Sequence, residues 1–370
     1  MTVVEHVVIG AGFAGAATAY HLARSGVADV LILEQEPIPG FHSSGRNAAM
    51  IRQCVPDAAV LALARDGAAF LHQVLGDWPE PVQFRNNGSL LLGSGASWAK
   101  LKKDAELGRS MGVKTEVWSV AQAKARVSLL QDAVFEGAIW CGTDGIVDIH
   151  ALLLGYLKGG MSKGVRVRYN CQVRSIRSMG DGFELVTQED IVQARVLINA
   201  SGAWANVIAQ MAGAVELPLR PYRRHLFVSP PLPWVDPRWP FVWDVTHDIY
   251  FRPEGEGLLL CACDQQEMLP SDPPEDPTVR ELLAEKIQQF MPGLSGVPIN
   301  RSWAGLRTIT SDGRFVIGWD PKIERLFWVA GLGGHGVTTS SAVGELAAQL
   351  IIDGRISAAD AFSPARFLQR

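Results

Sequence analysis

The sequence predicts an α/β protein: a Rossmann-like nucleotide-binding unit with an interleaved second unit built on a mixed or antiparallel sheet. Three observations predict it. The chain opens on an apolar run, a glycine loop, a helical pattern and a second apolar run within residues 3–34. A second apolar run, glycine loop and helical pattern occupy residues 326–353. Between them, over residues 218–302, prolines and aromatics surround short apolar runs. A chain of 370 residues holds two such units, or one large unit with an insertion.

In the opening pattern, residues 3–9 have strand length and composition, and Gly10, Gly12 and Gly15 follow as G-x-G-x-x-G, with Phe13 and Ala14 at the start of a helix that runs to about Arg24. Gly10 allows the tight turn, Gly12 lets backbone approach a pyrophosphate, and Gly15 brings the helix close to the strand. The pyrophosphate then meets the helix N-terminus, where free N–H groups and the positive end of the dipole point. Glu34 ends the second strand, where the motif expects a carboxylate for ribose hydroxyls, and Gln35 stands beside it. These features imply an ADP-containing dinucleotide.

The next stretch is rich in Pro, Gly and Ser, then is read as helical from about Arg46. Ser43, Ser44 and Gly45 are its expected N-cap, with Arg46, Asn47, Ala48, Ala49 and Met50 following. Composition leaves two readings open: a phosphate-holding turn, or a capped surface helix without a ligand. An amphipathic helix is expected over 58–75, and strand over 82–92 with a turn at Asn86-Asn87-Gly88. A helix follows over 100–111, then strands near 114–117 and 133–140. Residues 144–164 begin with turn residues before Asp148 caps a periodic helix. Strands are expected over 165–169 and 172–178, the latter holding Val173, with a hairpin turn at 180–182 into 183–187.

Residues 194–199 read as a late parallel strand leading into Ala200-Ser201-Gly202-Ala203-Trp204, a small-residue turn where backbone can approach a cofactor again, or simply a tight strand-to-helix turn. The proline-rich part carries expected strands at 224–228, 249–252 and 257–262 and a helix over 280–291. The last part returns to a strand at Leu326–Ala330, a Gly-rich turn over 331–338 and a helix over 340–353. The expected division groups 1–80, 145–215 and 303–370 as the cofactor unit, and 81–144 and 216–302 as the substrate unit.

Hydrophobic residues at 48%, charged residues at 19% and a net charge of −4 describe an ordinary soluble protein and argue against a nucleic-acid partner. Five scattered cysteines, Cys54, Cys141, Cys171, Cys261 and Cys263, suit reduced thiols better than a disulfide framework. No His/Cys cluster has metal-ligand spacing. The chain enters its first strand directly, and no apolar run reaches the ~18 residues of a membrane span, so a cytoplasmic protein without a membrane span is expected.

The second glycine loop, residues 330–345, lacks the spacing of another dinucleotide fingerprint. A helix N-terminus there suits the electron-accepting end of a flavin ring and stabilises the negative charge of its reduced form. Taken together, the N-terminal G-x-G-x-x-G, HSSGRNAA at 42–49, NASGAW at 199–204, WAGLR at 303–307 with Asp312-Gly313, and GLGGHGVTTSSAVGE at 331–345 resemble the D-amino acid oxidase (DAO) family of FAD enzymes over essentially the full length. Within that family the likeness is greatest to bacterial D-arginine dehydrogenases. The resemblance implies a DAO-type (glutathione reductase-like) cofactor domain, non-covalent FAD, and flavin-linked oxidation of an amine carbon in a D-amino acid or N-substituted amino acid. Sarcosine oxidase relatives attach flavin through a cysteine near the WAGLR segment; no cysteine follows Cys263 here.

The resemblance also implies site residues. Arg307 is the expected carboxylate clamp, because a guanidinium fork matches two oxygens and fixes the α-carbon. Tyr250 is its phenolic partner. Of the pair Arg223-Arg224, one arginine reaches the site, and Arg223 is preferred. His335 contacts the flavin edge or the substrate. Gly305, Gly333, Gly334, Gly336, Val337 and Thr338 join Ala200, Gly202 and Trp204 around the cofactor, and Met50 replaces a histidine of the dehydrogenases. Without the resemblance, surface ion pairs and a core tyrosine would be the ordinary readings.

D-arginine dehydrogenase holds the substrate guanidinium with an acid near the position of Gly88, which offers none. The expected substrate is therefore neutral, packed against Phe241, Trp243 and Val55; the alternative is an acidic one met by Arg52. Electrons pass to oxygen or to a quinone or other carrier. A flavoenzyme for 2-hydroxy acids, a non-catalytic dinucleotide binder and a nicotinamide dehydrogenase are the rival functions.

Overall fold

In the computed structural model, which describes residues 2–74, 78–354 and 357–368, the two glycine-loop patterns belong to one sheet. The Thr2–Ile9 strand pairs in parallel with Val30–Leu33 on one side and Ile191–Asn199 on the other. Ile191–Asn199 pairs in parallel with Leu326–Ala330, so the late parallel strand expected from its apolar run is present. Arg166–Arg168 extends one edge; Gly182–Val186, Ser175–Met179 and Val316–Trp319 add antiparallel strands, eight in all among the described residues. Val30–Leu33 and Leu326–Ala330 are buried at every position. Strands covered on both faces read as continuous apolar runs, which is why they were legible.

Two helices far apart in sequence, Phe13–Arg24 and Gly336–Asp353, lie against each other. Their small residues permit it: a Cβ on Gly344 would stand 2.6 Å from the Ala17 carbonyl carbon. His21 Nε2 lies 3.2 Å from Ser341 Oγ in this contact, and burial pushes its pKa down to about 4, so the imidazole is neutral. Ala58–Val74 packs on the same C-terminal helix; Leu75, the expected end of that helix, lies outside the described residues. Asp148 caps Ile149–Met161 as expected, accepting from the His150 and Ala151 N–H groups at 3.0 Å.

The second sheet has nine strands among the described residues. Leu219–Val228, Phe241–Asp244, Ile249–Glu254 and Gly257–Cys261 come from the proline-rich part, and Ser89–Gly93, Gly137–Cys141 and Thr115–Trp118 from residues 89–141. The sheet is antiparallel except where Phe241–Asp244 runs parallel to Ser89–Gly93. Thr278–Phe290 covers one face through Val279, Leu283 and Ile287. Arg301–Thr310 pairs along the whole of Leu219–Val228, so WAGLR, grouped by sequence with the cofactor unit, hydrogen-bonds into this second sheet.

Three local expectations are corrected. Residues 46–49 are not helical: Asn47 Oδ1 accepts from the Ala49 N–H at 2.8 Å, Asn47 Nδ2 donates to the Ser44 carbonyl at 2.7 Å, and Ala49 has φ +57°. An Asn side chain that satisfies its own turn competes with a helix. Met50–Ile51 then pairs with Gly145–Val147, so part of the stretch expected as turn is strand. The C-terminal helix starts at Gly336, four residues before its expected start. No helix among the described residues is long and apolar enough to cross a membrane.

Candidate active site

The carboxyl ends of Thr2–Ile9, Ile191–Asn199 and Leu326–Ala330 lie side by side, and a small-residue turn follows each. A cavity of about 610 Å³ opens beyond them, where open parallel sheets receive ligands. Gly10 has φ +105°, and a Cβ there would stand 2.7 Å from the Ala200 carbonyl oxygen. Gly15 does not line the cavity; a Cβ would be 2.0 Å from the Gly10 carbonyl oxygen, so its absence brings the helix down onto the loop. Gly12, Phe13 and Ala14 present the N-terminus of that helix. Ser44 caps it, accepting from the Phe13 N–H at 3.0 Å, and so serves the first helix rather than one of its own.

Glu34 is buried against this loop. One carboxylate oxygen accepts from the Ala11 N–H at 2.7 Å and the other from the Glu36 N–H at 3.0 Å. Burial pushes its pKa up, against those two donors. Each oxygen keeps acceptor capacity toward the cavity, which Glu34 and Gln35 line.

Ser43, Ser44 and residues 46–50 line the cavity; Gly45 faces a groove of about 690 Å³ on the other side of the loop. Ser43 donates to the Leu306 carbonyl and Arg252 Nε to the Ala48 carbonyl, which ties the loop to the second sheet. Arg252 was not singled out by sequence, although a buried arginine inside an apolar strand was a usable signal. Val173, Ala200, Gly202, Trp204 and Gly305 also line the cavity, as do the unexpected Phe41, His42, Asp248 and Gln265. Thr338 lies behind the wall, donating to the Met50 carbonyl at 3.3 Å and accepting from the Arg52 N–H at 3.1 Å.

Arg52, Arg224, Trp243, Tyr250, Arg307 and His335 line the same cavity. Arg223 does not, which corrects the preference for it. Arg224 is paired with Gly305 and Tyr222 with Arg307, so Arg224 and Arg307 share one face of the sheet. Arg223, one residue earlier, projects from the other face. There it pairs with Asp276 at 2.7 Å and donates to the Pro274 carbonyl at 3.1 Å. Gly88 and Val55 do not line the cavity either. A Cβ on Gly88 would stand 2.2 Å from the Trp140 ring, and Val55 is core.

The electrostatics of this end are cationic. Arg224 Nη1 lies 3.9 Å from Cys261 Sγ, which also accepts from the Cys263 N–H at 3.3 Å. Burial opposes a thiolate at Cys261, but Cys263 and the Arg224 guanidinium outweigh it and hold the thiol at about 6. Arg307 Nη1 sits 3.2 Å from where a Cβ on Gly334 would be, and Nη2 lies 3.5 Å from Gln265 Oε1. Burial and the Arg224 charge push its pKa down. Among the described residues, the buried Nε atoms of Arg224 and Arg307 have no protein partner, and neither has that of Arg223 on the other face.

Burial, then the neighbouring Cys261 and Cys263, push the Tyr250 phenol well above its ordinary range, so it is neutral and keeps its proton to donate. His335 caps the C-terminal helix; burial first, then Arg52 and Arg307, push its pKa down to about 3. Its imidazole is neutral beside the helix N-terminus at Gly336 and Val337. The cavity is thus equipped for phosphates at the glycine loop and for an organic anion at the arginines.

Comparison with known proteins agrees with this geometry. The chain is 24% identical to human sarcosine dehydrogenase, with 94% of this chain and 40% of that protein covered. It is 26% identical to the 4-methylaminobutanoate oxidase (formaldehyde-forming) of Paenarthrobacter nicotinovorans, with 95% and 44% covered. The chain therefore spans less than half the length of these two relatives. Its fold superposes on L-proline dehydrogenase from P. horikoshii with TM-score 0.91 and 25% identity, covering 100% of this chain and 98% of that one. The family described as "DAO: FAD dependent oxidoreductase" matches residues 5–350, and the chain belongs to that FAD-dependent family.

Proposed function

We propose that the protein oxidises an amino acid or N-substituted amino acid, using FAD held without a covalent bond. The observation that carries this reading is the pair Arg224 and Arg307 on one sheet face, with unpartnered Nε atoms, beside Tyr250 and the turn at Gly334. Gly10, Gly12 and the helix N-terminus behind them suit the cofactor's pyrophosphate, Glu34 its ribose, and the turn at 333–337 its ring. Bound FAD supplies the acceptor for the hydride that leaves the substrate's α-carbon.

The chain's residues do the rest. Arg307 grips the substrate carboxylate through two N–H groups, and Tyr250 donates to it from a phenol that stays protonated. Two anchors on one carboxylate fix the α-carbon, and orientation of this kind is a large part of the barrier removed. His335, being neutral, adds no charge that would repel a protonated amine on arrival. The imino acid released is hydrolysed by water to a keto acid and ammonia or an amine. The grouping of residues into a cofactor part and a substrate part belongs to this proposal.

Sarcosine, a methylamino acid and proline, the compounds in the names of the three proteins compared above, are secondary amines, and dimethylglycine, in the name of a further relative, is also N-substituted. They favour an N-substituted substrate over a primary D-amino acid. D-arginine is expected to be poor: Gly88 packs on Trp140, and the cavity carries arginines where a guanidinium would have to sit. The test is anaerobic mixing of the yellow holoprotein with D- and L-amino acids, N-methyl amino acids, proline and 2-hydroxy acids. Bleaching of the flavin by amines, with N-substituted ones fastest, is expected. Bleaching by hydroxy acids alone, or by nothing while FAD stays bound, rejects amine oxidation.

A further inference from the structure

We propose that the substrate is an amino diacid, and that Arg52 is the residue that recognises its second carboxylate. The inference rests on the amine-oxidation reading above and names the substrate class within it.

Four arginines line the cavity. Arg46 is ion-paired with Asp272. Arg224 sits on the Cys261 sulfur. Arg307 is the proposed clamp for the α-carboxylate. Arg52 is left over: among the described residues, no carboxylate oxygen lies within 4.0 Å of its guanidinium, which makes no side-chain hydrogen bond. Its guanidinium carbon lies over the Trp243 ring, 4.6 Å from the centroid, and Thr338 Oγ1 holds its backbone N–H at 3.1 Å. Stacking engages the faces of a guanidinium and leaves its in-plane N–H donors free for an anion.

The acidic lining does not neutralise it. Glu34 is anchored on the Ala11 and Glu36 N–H groups, Asp248 is exposed, and Asp144 and Asp104, whose charges also act on Arg52, lie like them outside ion-pair reach of it. Arg52 is half-buried; its partial burial acts against the charge, and an anionic ligand at its N–H groups would offset that cost. Arg52, Arg307 and His335 line one cavity, and the Trp243 ring beneath Arg52 lies 5.3 Å, centroid to centroid, from the Tyr250 ring, so the two guanidinium groups serve the same end of it. Two unneutralised guanidinium groups at one end call for a ligand with two carboxylates and the amine between or beside them. This reverses the preference for a neutral side chain, which depended on Gly88 being a pocket residue.

The experiment uses holoprotein and anaerobic flavin bleaching with iminodiacetate, N-methylaspartate and N-methylglutamate, each against its monoamide, and with sarcosine. The best diacid is expected to exceed its monoamide by roughly 100-fold in the second-order rate, the discrimination given by charged hydrogen bonds to one carboxylate. Arg52→Met is expected to collapse that ratio to about threefold or less, and Arg52→Lys to retain part of it. Equal or faster bleaching by monoamides in the wild type overturns the proposal. So does an Arg52→Met that slows diacid and monoamide alike, or that releases FAD, because Arg52 would then serve the cofactor. If no amine bleaches the flavin, amine oxidation fails by itself, and binding of succinate and glutarate, read from the flavin absorbance, decides. Binding weakened by Arg52→Met supports a two-anion site, and binding indifferent to it rejects one.

Discussion

Arg223 and Arg224 are neighbours in sequence and opposites in role. A strand presents alternate residues to opposite faces, so one-residue register separates a ligand-facing guanidinium from a structural one. The sequence announces a strand with two arginines; it does not announce its register, which is set by pairing with Arg301–Thr310 more than 70 residues away. The two variants should therefore part company. Arg224→Met is expected to lower kcat/KM for an amino acid by roughly 100-fold, mostly through KM, because it removes a charged donor from the substrate end. Arg223→Met is expected to leave KM within about threefold but to lower the melting temperature, since it removes a buried guanidinium that donates to Asp276 and to the Pro274 carbonyl. Steady-state kinetics and thermal melts of both proteins check this. Arg307 and Tyr250 were legible only through resemblance, because an arginine and a tyrosine in strands have ordinary surface and core explanations.

At the scale of elements, the parallel strands could be read because burial on both faces makes them unbroken apolar runs. The 42–49 loop could not: its helix-like composition is overruled by Asn47, which closes a turn with its own amide, and by contacts from Arg252 and Ser43 that come from elsewhere in the chain. The crossing of Phe13–Arg24 and Gly336–Asp353 was not read either, because small residues in two distant patterns do not by themselves name each other as partners. A methyl group there meets backbone, which cannot rotate away. Gly344→Ala is expected to cost about 1–3 kcal/mol, seen as a lower melting temperature, and to weaken FAD retention, because the same helix carries the turn at Gly334. Unchanged melting would mean that the helices part with no penalty.

Across the whole molecule, the cavity is walled from both sheets: Gly10, residues 12–14 and residues 331–337 at the first, and residues 224, 243, 250 and 307 from the second. Fold class and the two glycine loops were visible in sequence because each is a local pattern. The meeting of the two sheets was not, because it depends on contacts such as Arg252 Nε to the Ala48 carbonyl and Ser43 to the Leu306 carbonyl that no short window contains. A ligand that touches both sheets should couple their stabilities. Removal of FAD is expected to lower the unfolding temperature, and FAD at about 1,000 times its Kd to restore about 4 kcal/mol in one cooperative transition. Calorimetry of apoprotein titrated with FAD checks it; two separate transitions in the loaded protein would contradict the coupling.

The crossing of the first and last long helices also sets a timetable for the newborn chain. The alanine face of Phe13–Arg24 leaves the ribosome early, but the glycine that fits it, Gly344, is made more than 300 residues later. At roughly 5–20 residues per second, that face waits on the order of 15–60 s for its cover. Over that interval the nascent polypeptide has the phosphate loop without the wall that faces it, so firm FAD retention is expected only after Gly336–Asp353 has been made.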